Sequence, residues 1–144
     1  MGGTSTLVVA PALYPKLAYD PLRDFTPIVN VAFVPYAFAV NPRVPAAGMR
    51  ELVAIARSRK GLLSYGSSGA GSISSLAVEL LKVSAGIDIV HVPYKGTAPA
   101  VTDMIAGQVD MMAADLAVVQ PHARAGKLRL LAVAGSRQIG RAHV

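Results

Sequence analysis

The chain has 144 residues and a formal net charge of +6, from 14 Lys+Arg against 8 Asp+Glu. Hydrophobic residues make up 53% and charged residues 15%, which excludes an intrinsically disordered chain and a Glu/Lys-rich coiled coil. With no Cys, disulfides, Cys-ligated metals and thiol chemistry are excluded as well.

Residues 1–9 read as a strand and turn whose partners are not in this chain. The stretch that follows, with Ala18-Tyr19-Asp20-Pro21 and Phe25-Thr26-Pro27, reads as an extended, proline-punctuated connection. Ile28 to Val34 and Tyr36 to Val40 are β-rich runs, with a bend or strand edge at Pro35. No stretch matches a membrane span, because Asn30 and Pro35 break the apolar run Ile28 to Val40. From about Gly48 a helix is predicted, with Met49, Leu52, Val53 and Ala56 on one face, basic residues at its end and Gly61 as its stop.

Leu62 to Tyr65 is predicted as a strand and Gly66 to Ser72 as a small-residue loop. Ile73, Leu76, Ala77, Leu80 and Leu81 then recur at helical spacing, and Gly86 ends that helix. Ile87 to Val92 is a predicted strand, Pro93 to Gly96 a turn, and Thr97 the N-cap of a helix bearing Val101, Met104 and Ile105. Val109 to Ala113 is the next strand, Leu116 to Ala125 a shorter helix, and Leu128 to Ala134 the last strand. Gln138 to Val144 resembles the translation of a sequencing-library adapter and is expected to be no part of the fold. Strand, short loop, helix and glycine stop repeat three or four times, which predicts an α/β layer fold with a mostly parallel sheet flanked by helices. In such a sheet the binding loops follow the carboxyl ends of strands, here Gly66–Ser72, Tyr94–Thr97 and the Ala114-Asp115 region.

The most informative segment is Ser64 to Ser74. Small residues allow close approach to the backbone, the following helix opens with unpaired N–H groups, and Ser67, Ser68, Ser72 and Ser74 add hydroxyls. These neutral donors suit a carboxylate or phosphate. The competing reading is that Ser72 or Ser74 is only an N-cap on a tight turn. Gly69-Ala70-Gly71-Ser72-Ile73-Ser74 lacks the third glycine of a dinucleotide fingerprint. Gly66-Ser67-Ser68-Gly69-Ala70 is one residue off a nucleophile elbow, with Asp115 and His122 as candidate partners, so a serine hydrolase or a nucleotide-binding α/β enzyme stands as the alternative. Pro93 to Thr97 offers a second set of donors, with Lys95 adding attraction for an anion and Tyr94 a wall; a plain turn is its bland reading. His91 reads as a packed, hydrogen-bonded side chain. No cluster has metal-ligand spacing, no cofactor is expected, and the scattered basic residues without interleaved aromatics argue against nucleic acid.

Seven motifs in order carry a resemblance: Tyr19-Asp20-Pro21, Asp24-Phe25-Thr26-Pro27, Val40-Asn41-Pro42, Tyr65-Gly66-Ser67-Ser68-Gly69, His91-Val92-Pro93-Tyr94-Lys95-Gly96, Gly107-Gln108-Val109-Asp110-Met111-Met112 and Ala125-Gly126-Lys127-Leu128-Arg129. Together they resemble the Bug family, the extracytoplasmic solute receptors of tripartite tricarboxylate transporters. The resemblance implies a type II periplasmic-binding-protein-like fold, not an enzyme, with a small carboxylate held between two α/β domains. By position it implies ligand contacts from Ser67, Ser68, Gly69 and Ser74, from Tyr94, Lys95, Gly96 and Thr97, from Asp115, and from Thr4, Ser5 and Thr6 on the first-domain side. It divides the chain into a partial first domain and crossover at 1–30, the second domain at 31–130, and a return crossover at 131–137, with hinges near Ile28–Val40 and Leu131–Ser136. Met1-Gly2-Gly3 matches the end of an internal strand in the family, so the chain is expected to be a fragment, its signal peptide and a Gly-rich first loop lying upstream. Implied too are a periplasmic location, a monomer, and membrane subunits of the transporter as partners.

Overall fold

The computed structural model describes residues 3–58 and 60–135. The expected tail at 138–144 and the end of the return crossover lie outside these residues.

The N-terminal segment differs from the sequence reading. Residues 1–9 read as a strand and turn, but Ser5–Val9 form a π-helical turn that leads into helix α1, Ala10–Leu13. The turn is held locally, with the Thr6 and Leu7 amides donating to the Gly3 carbonyl. Ile28 to Val34 forms no strand, and Ile28 and Phe33 are 94% and 79% exposed. Its amides and carbonyls have no neighbouring strand among the described residues, and β propensity alone does not make a ladder.

Strand β1, Tyr36–Val40, begins directly after Pro35. Helix α2, Met49–Ser58, follows, then β2, Ser64–Ser67, and helix α3, Ile73–Ala85. Next come β3, Val90–Pro93, helix α4, Thr97–Ala106, and β4, Met111–Asp115. Helix α5, Leu116–Arg124, and strand β5, Arg129–Val133, complete the order. The sheet is ordered β3-β2-β4-β1-β5. β2 pairs in parallel with both β3 and β4, while β1 runs antiparallel to β4 and β5. The sheet is therefore mixed and mostly parallel, with β1 the reversed strand.

Both faces of the sheet are covered. On one, Tyr65, Met111 and Ala113 pack with Leu52 and Ala56 of α2 and Val78 of α3. On the other, Ala37, Ala39, Met112 and Ala114 pack with Ala100, Val101 and Met104 of α4 and Val119 of α5. The period-2 alternation along β4 divides Met111 from Met112 and sets the two cores. At the far edge of the sheet from the carboxyl ends of β2 to β4, Asn41 ties the layers together. Its buried Nδ2 donates to the Met104 and Ile105 carbonyls at the end of α4 (2.7 and 3.3 Å). Arg43 crosses the same helix end and donates to Gly107 O. An open pocket of about 510 Å³ lies there, lined in part by Arg43, Ile105 and Lys127.

Candidate functional site

The helix that follows β2, α3, lies on one face of the sheet. The helices that follow β3 and β4, its neighbours on either side, lie on the other. Chains that leave adjacent parallel strands toward opposite faces open a crevice at the strands' carboxyl ends, the place where α/β sheets hold ligands. The three predicted loops all leave the sheet at that edge. The Tyr94 amide donates to Ser67 O at 3.0 Å, which fastens the second loop to the first. Gly66 lies beneath them, and a Cβ there would touch the Tyr94 ring, Ala100 and Val109 at 3.4 Å, at the edge of ordinary van der Waals contact.

Gly66 and Ser67 belong to β2 rather than to the loop, because this strand is buried and reads by its neighbours instead of by apolar alternation. The loop proper runs from Ser68 to Ser72. Gly69 and Gly71 adopt φ of +127° and +78°, conformations other residues rarely take. Leu13 and Tyr14 of the N-terminal segment lie against Gly71, where a Cβ would come within 2.7 Å of Leu13 Cδ1. That contact carries no sequence signal.

The serines form a hydrogen-bonded chain. Ser74 Oγ is 3.1 Å from Ser68 Oγ and 2.8 Å from Ser72 Oγ, and it accepts the Ser68 amide at 3.0 Å. Ser72 donates to Gly69 O at 2.7 Å and, as N-cap of α3, accepts the Ser75 amide at 3.2 Å. Ser67 Oγ lies 2.7 Å from His91 Nε2 and 3.2 Å from both the amide and the carbonyl of Gly69. Ser67 and Ser74 are buried and so shape the loop from behind, whereas Ser68 and Gly69 are half-buried at its front. The amides of Ile73 and Ser74 open α3 and have no intrahelical acceptors.

In the second loop the N-cap of α4 is Gly96, not Thr97, which is the first residue of the helix. Gly96 takes φ +133°, a conformation disfavoured for threonine, and no side chain caps this end. The amides of Thr97 and Ala98 lack intrahelical acceptors, and Pro99 has no amide to satisfy. Lys95 is exposed, while Gly96 and Thr97 are half-buried. Tyr94 is not a free wall: its hydroxyl donates to Asp103 Oδ2 at 2.8 Å, and burial together with Asp103 raises its pKa. Asp115 caps the start of α5 without a side-chain cap bond and is half-buried. Burial first and the Asp115 charge second raise the pKa of Tyr36, its partner across β1 and β4. Thr4 is the N-cap of the π-helical turn and Ser5 and Thr6 lie in it, where Thr6 O accepts the Tyr19 hydroxyl at 2.6 Å. Asp110 locks the start of β2, accepting the amide and hydroxyl of Ser64 at 2.8 and 3.0 Å.

Among the described residues no group of three or more His, Asp or Glu could hold a metal ion, and no helix is long and apolar enough to cross a membrane. Ser68 bonds to Ser74, and the serine in contact with a histidine is the buried Ser67, so the nucleophile-elbow geometry is not what the loop presents.

What stands at this switch point is a nest of neutral donors on a periplasmic-binding-protein-like α/β scaffold. The chain matches the Tripartite tricarboxylate transporter family receptor over residues 1–142, and it belongs to that family of receptors, which are not enzymes. A UPF0065 protein of Bordetella bronchiseptica is 39% identical over 131 residues, covering 91% of this chain and 38% of that protein. Rpa4515 of R. palustris, solved with adipate, superposes with a TM-score of 0.81 at 38% identity, covering 87% of this chain and 42% of that one. MatC of Rhodopseudomonas palustris, solved with bound malate, gives 0.83 at 32% identity, covering 93% and 46%. The chain thus spans less than half the length of each of these relatives.

Proposed function

We propose that this chain supplies the second-domain half of a periplasmic solute receptor that captures a small carboxylate for tripartite tricarboxylate-type uptake. The observation that carries the reading is the switch point itself. The openings of α3 and α4 converge there on adjacent strands, lined by hydroxyls and amides rather than by an arginine. Helix N-termini attract an anion through unpaired amides and the macrodipole, and glycines let it approach the backbone. Ser68, Gly69, Thr97 and Lys95 face the guest, Ser67 and Ser74 hold the loop from behind, and Asp115 borders the crevice from the end of β4. Thr4, Ser5 and Thr6 belong to the first-domain side, and Tyr94 braces the second loop. Residues 1–30 contribute to the first domain and its crossover, 31–130 form the second domain, and 131–137 return. Ligand then closes the two domains, because only the closed form makes both sets of contacts. The malate and adipate bound by MatC and Rpa4515 fit this donor chemistry.

The test is isothermal titration of the complete open reading frame that contains this chain with malate, adipate, citrate and acetate. Binding near micromolar, about −8 kcal/mol, is expected for at least one of them. No heat with any carboxylate, and no compaction by small-angle scattering, would overturn the reading.

A further inference from the structure

We infer that His91 is a positioning residue for the serine loop: through the Ser67 hydroxyl its ring sets the hydrogen bonding of Gly69, and so couples anion binding at the opening of α3 to the protonation of the ring. The inference rests on the proposed carboxylate site and deepens it.

Ser67 Oγ has one proton and three neighbours: His91 Nε2 at 2.7 Å, and Gly69 O and Gly69 N each at 3.2 Å. The Gly69 amide can only donate, so it takes a lone pair of Ser67. Gly69 O already receives the Ser72 hydroxyl at 2.7 Å and the Ser72 amide at 3.2 Å. In the neutral tautomer with a bare Nε2, the Ser67 proton points to this shorter contact and Nε2 accepts. When a proton from solvent adds to Nε2, that nitrogen becomes a donor. Ser67 must then rotate its proton onto Gly69 O, while still accepting from the ring and from the Gly69 amide. No covalent bond breaks in the serine, and the heavy atoms serve both arrangements. What changes is the polarity of the Gly69 peptide and a positive charge one hydroxyl behind it.

The ring is held so that this is its main freedom. It stacks on Tyr65 with centroids 4.6 Å apart and planes 8° from parallel. Tyr65 is fully buried, and its hydroxyl donates to Glu79 Oε1 at 2.6 Å. The groups that act on the ring are Ser67 and Tyr65 from β2 and Glu79 and Lys82 from α3. Burial lowers the ring's pKa, Glu79 opposes that, and Lys82 adds to it, so the net effect favours the neutral ring. A carboxylate guest at the loop favours the charged ring. By linkage, affinity then rises as pH falls through the ring's titration.

The experiment is an NMR titration of the complete receptor from about pH 8 to pH 5, following the His91 ring nitrogens and the Gly69 amide, with and without saturating malate. In the free protein the Gly69 amide should shift with the His91 midpoint, and in Ser67→Ala that response should fall by about half or more. Malate should raise the midpoint, and calorimetry should show affinity rising about threefold toward the acid end. His91→Gln keeps a partner for Ser67 but does not titrate, so its affinity should be flat over the same range. A Gly69 amide that ignores the His91 titration overturns the relay. Malate binding with an unchanged midpoint, or with equal pH profiles in wild type and His91→Gln, overturns the coupling. If no carboxylate binds at all, the proposed function and the coupling fall together, while the Gly69 response still decides the relay on the free protein.

Discussion

At the scale of single residues, one amide and one missing side chain secure the end of α4. Asn41 is 5% exposed and serves three groups: two α4 carbonyls accept its Nδ2, and its Oδ1 accepts the Arg43 amide. Asn41→Ala leaves those buried groups without partners, and a loss of about 1–3 kcal/mol is expected in urea unfolding. Gly107 has φ +78°, and a Cβ there would land on the Arg43 guanidinium at 1.2 Å. Gly107→Ala therefore both strains the backbone and displaces Arg43 from the helix end. It should lower the thermal midpoint more than Arg43→Ala, which only removes the cap. Equal midpoints for the two would show that steric exclusion at Gly107 is not what matters. Both positions fall within sequence motifs, Val40-Asn41-Pro42 and Gly107-Gln108-Val109-Asp110, yet no sequence rule reveals that these segments meet across 63 or more residues of chain.

Among the elements, α3 concentrates the site and its support. Ser72 caps it and at the same time donates to Gly69 O, so one hydroxyl serves both helix stability and loop shape. Ser72→Ala should cost about 1 kcal/mol of folding stability, typical of a lost N-cap, and weaken carboxylate binding as well. Ser72→Asp keeps a cap but adds a like charge at the anion's door. It should restore stability without restoring affinity, and recovery of both would argue that the loop's polarity is irrelevant to binding. The helices and their glycine stops were legible because helical period and a left-handed C-cap are local properties: Gly86 and Gly107 end α3 and α4 as read. The strand limits were less legible. β2 and β3 lie further toward their carboxyl ends than the apolar pattern placed them, because Gly66, Ser67 and Pro93 are held by ladder partners, not by their own propensity. The site's loops could be read from Gly and Ser content, but not the Ser67–His91 contact, which parallel pairing creates across 24 residues. Tyr65 and Glu79 illustrate the same limit: they meet only once α3 lies on the sheet.

For the whole molecule, acid is the expected weakness. His91 has its pKa lowered from 6.5, chiefly by burial, so the unfolded chain binds a proton before the folded one does. Stability from this group is complete above about pH 6.5 and is lost as pH falls through the lowered value. For Glu79 burial pushes the pKa up, but the Tyr65 hydroxyl and Lys82 outweigh it and the net shift is downward from 4.5. Its contribution has the same sign and is lost at lower pH. Denaturant unfolding between pH 8 and pH 3 should thus show stability falling in two stages. His91→Gln removes the upper stage and leaves the lower, and a single-stage curve in wild type would contradict the assignment.

The apolar run from Ile28 to Val34 bears on the same scale. Its β-branched composition suits a buried strand, yet Ile28, Val29, Val31 and Phe33 are each more than 70% exposed. Sheet contacts begin only at Pro35, whose carbonyl accepts the Leu116 amide, and at Tyr36, whose carbonyl accepts the Ala134 amide. Residues before Pro35 therefore add little to the two cores, and they present exposed apolar surface of the kind that associates with other chains. A chain that begins at Pro35 should keep the stability of the 144-residue chain within about 1 kcal/mol, since surface segments outside the core rarely contribute more. It should also lose the concentration-dependent light scattering and dye binding expected of the longer chain. Replacing Ile28, Val31 and Phe33 together with Ser should have the same effect without shortening the chain. If stability instead collapses on truncation, the N-terminal segment is an integral part of the fold, and the contact of Leu13 and Tyr14 with Gly71 is where that stability would have to reside.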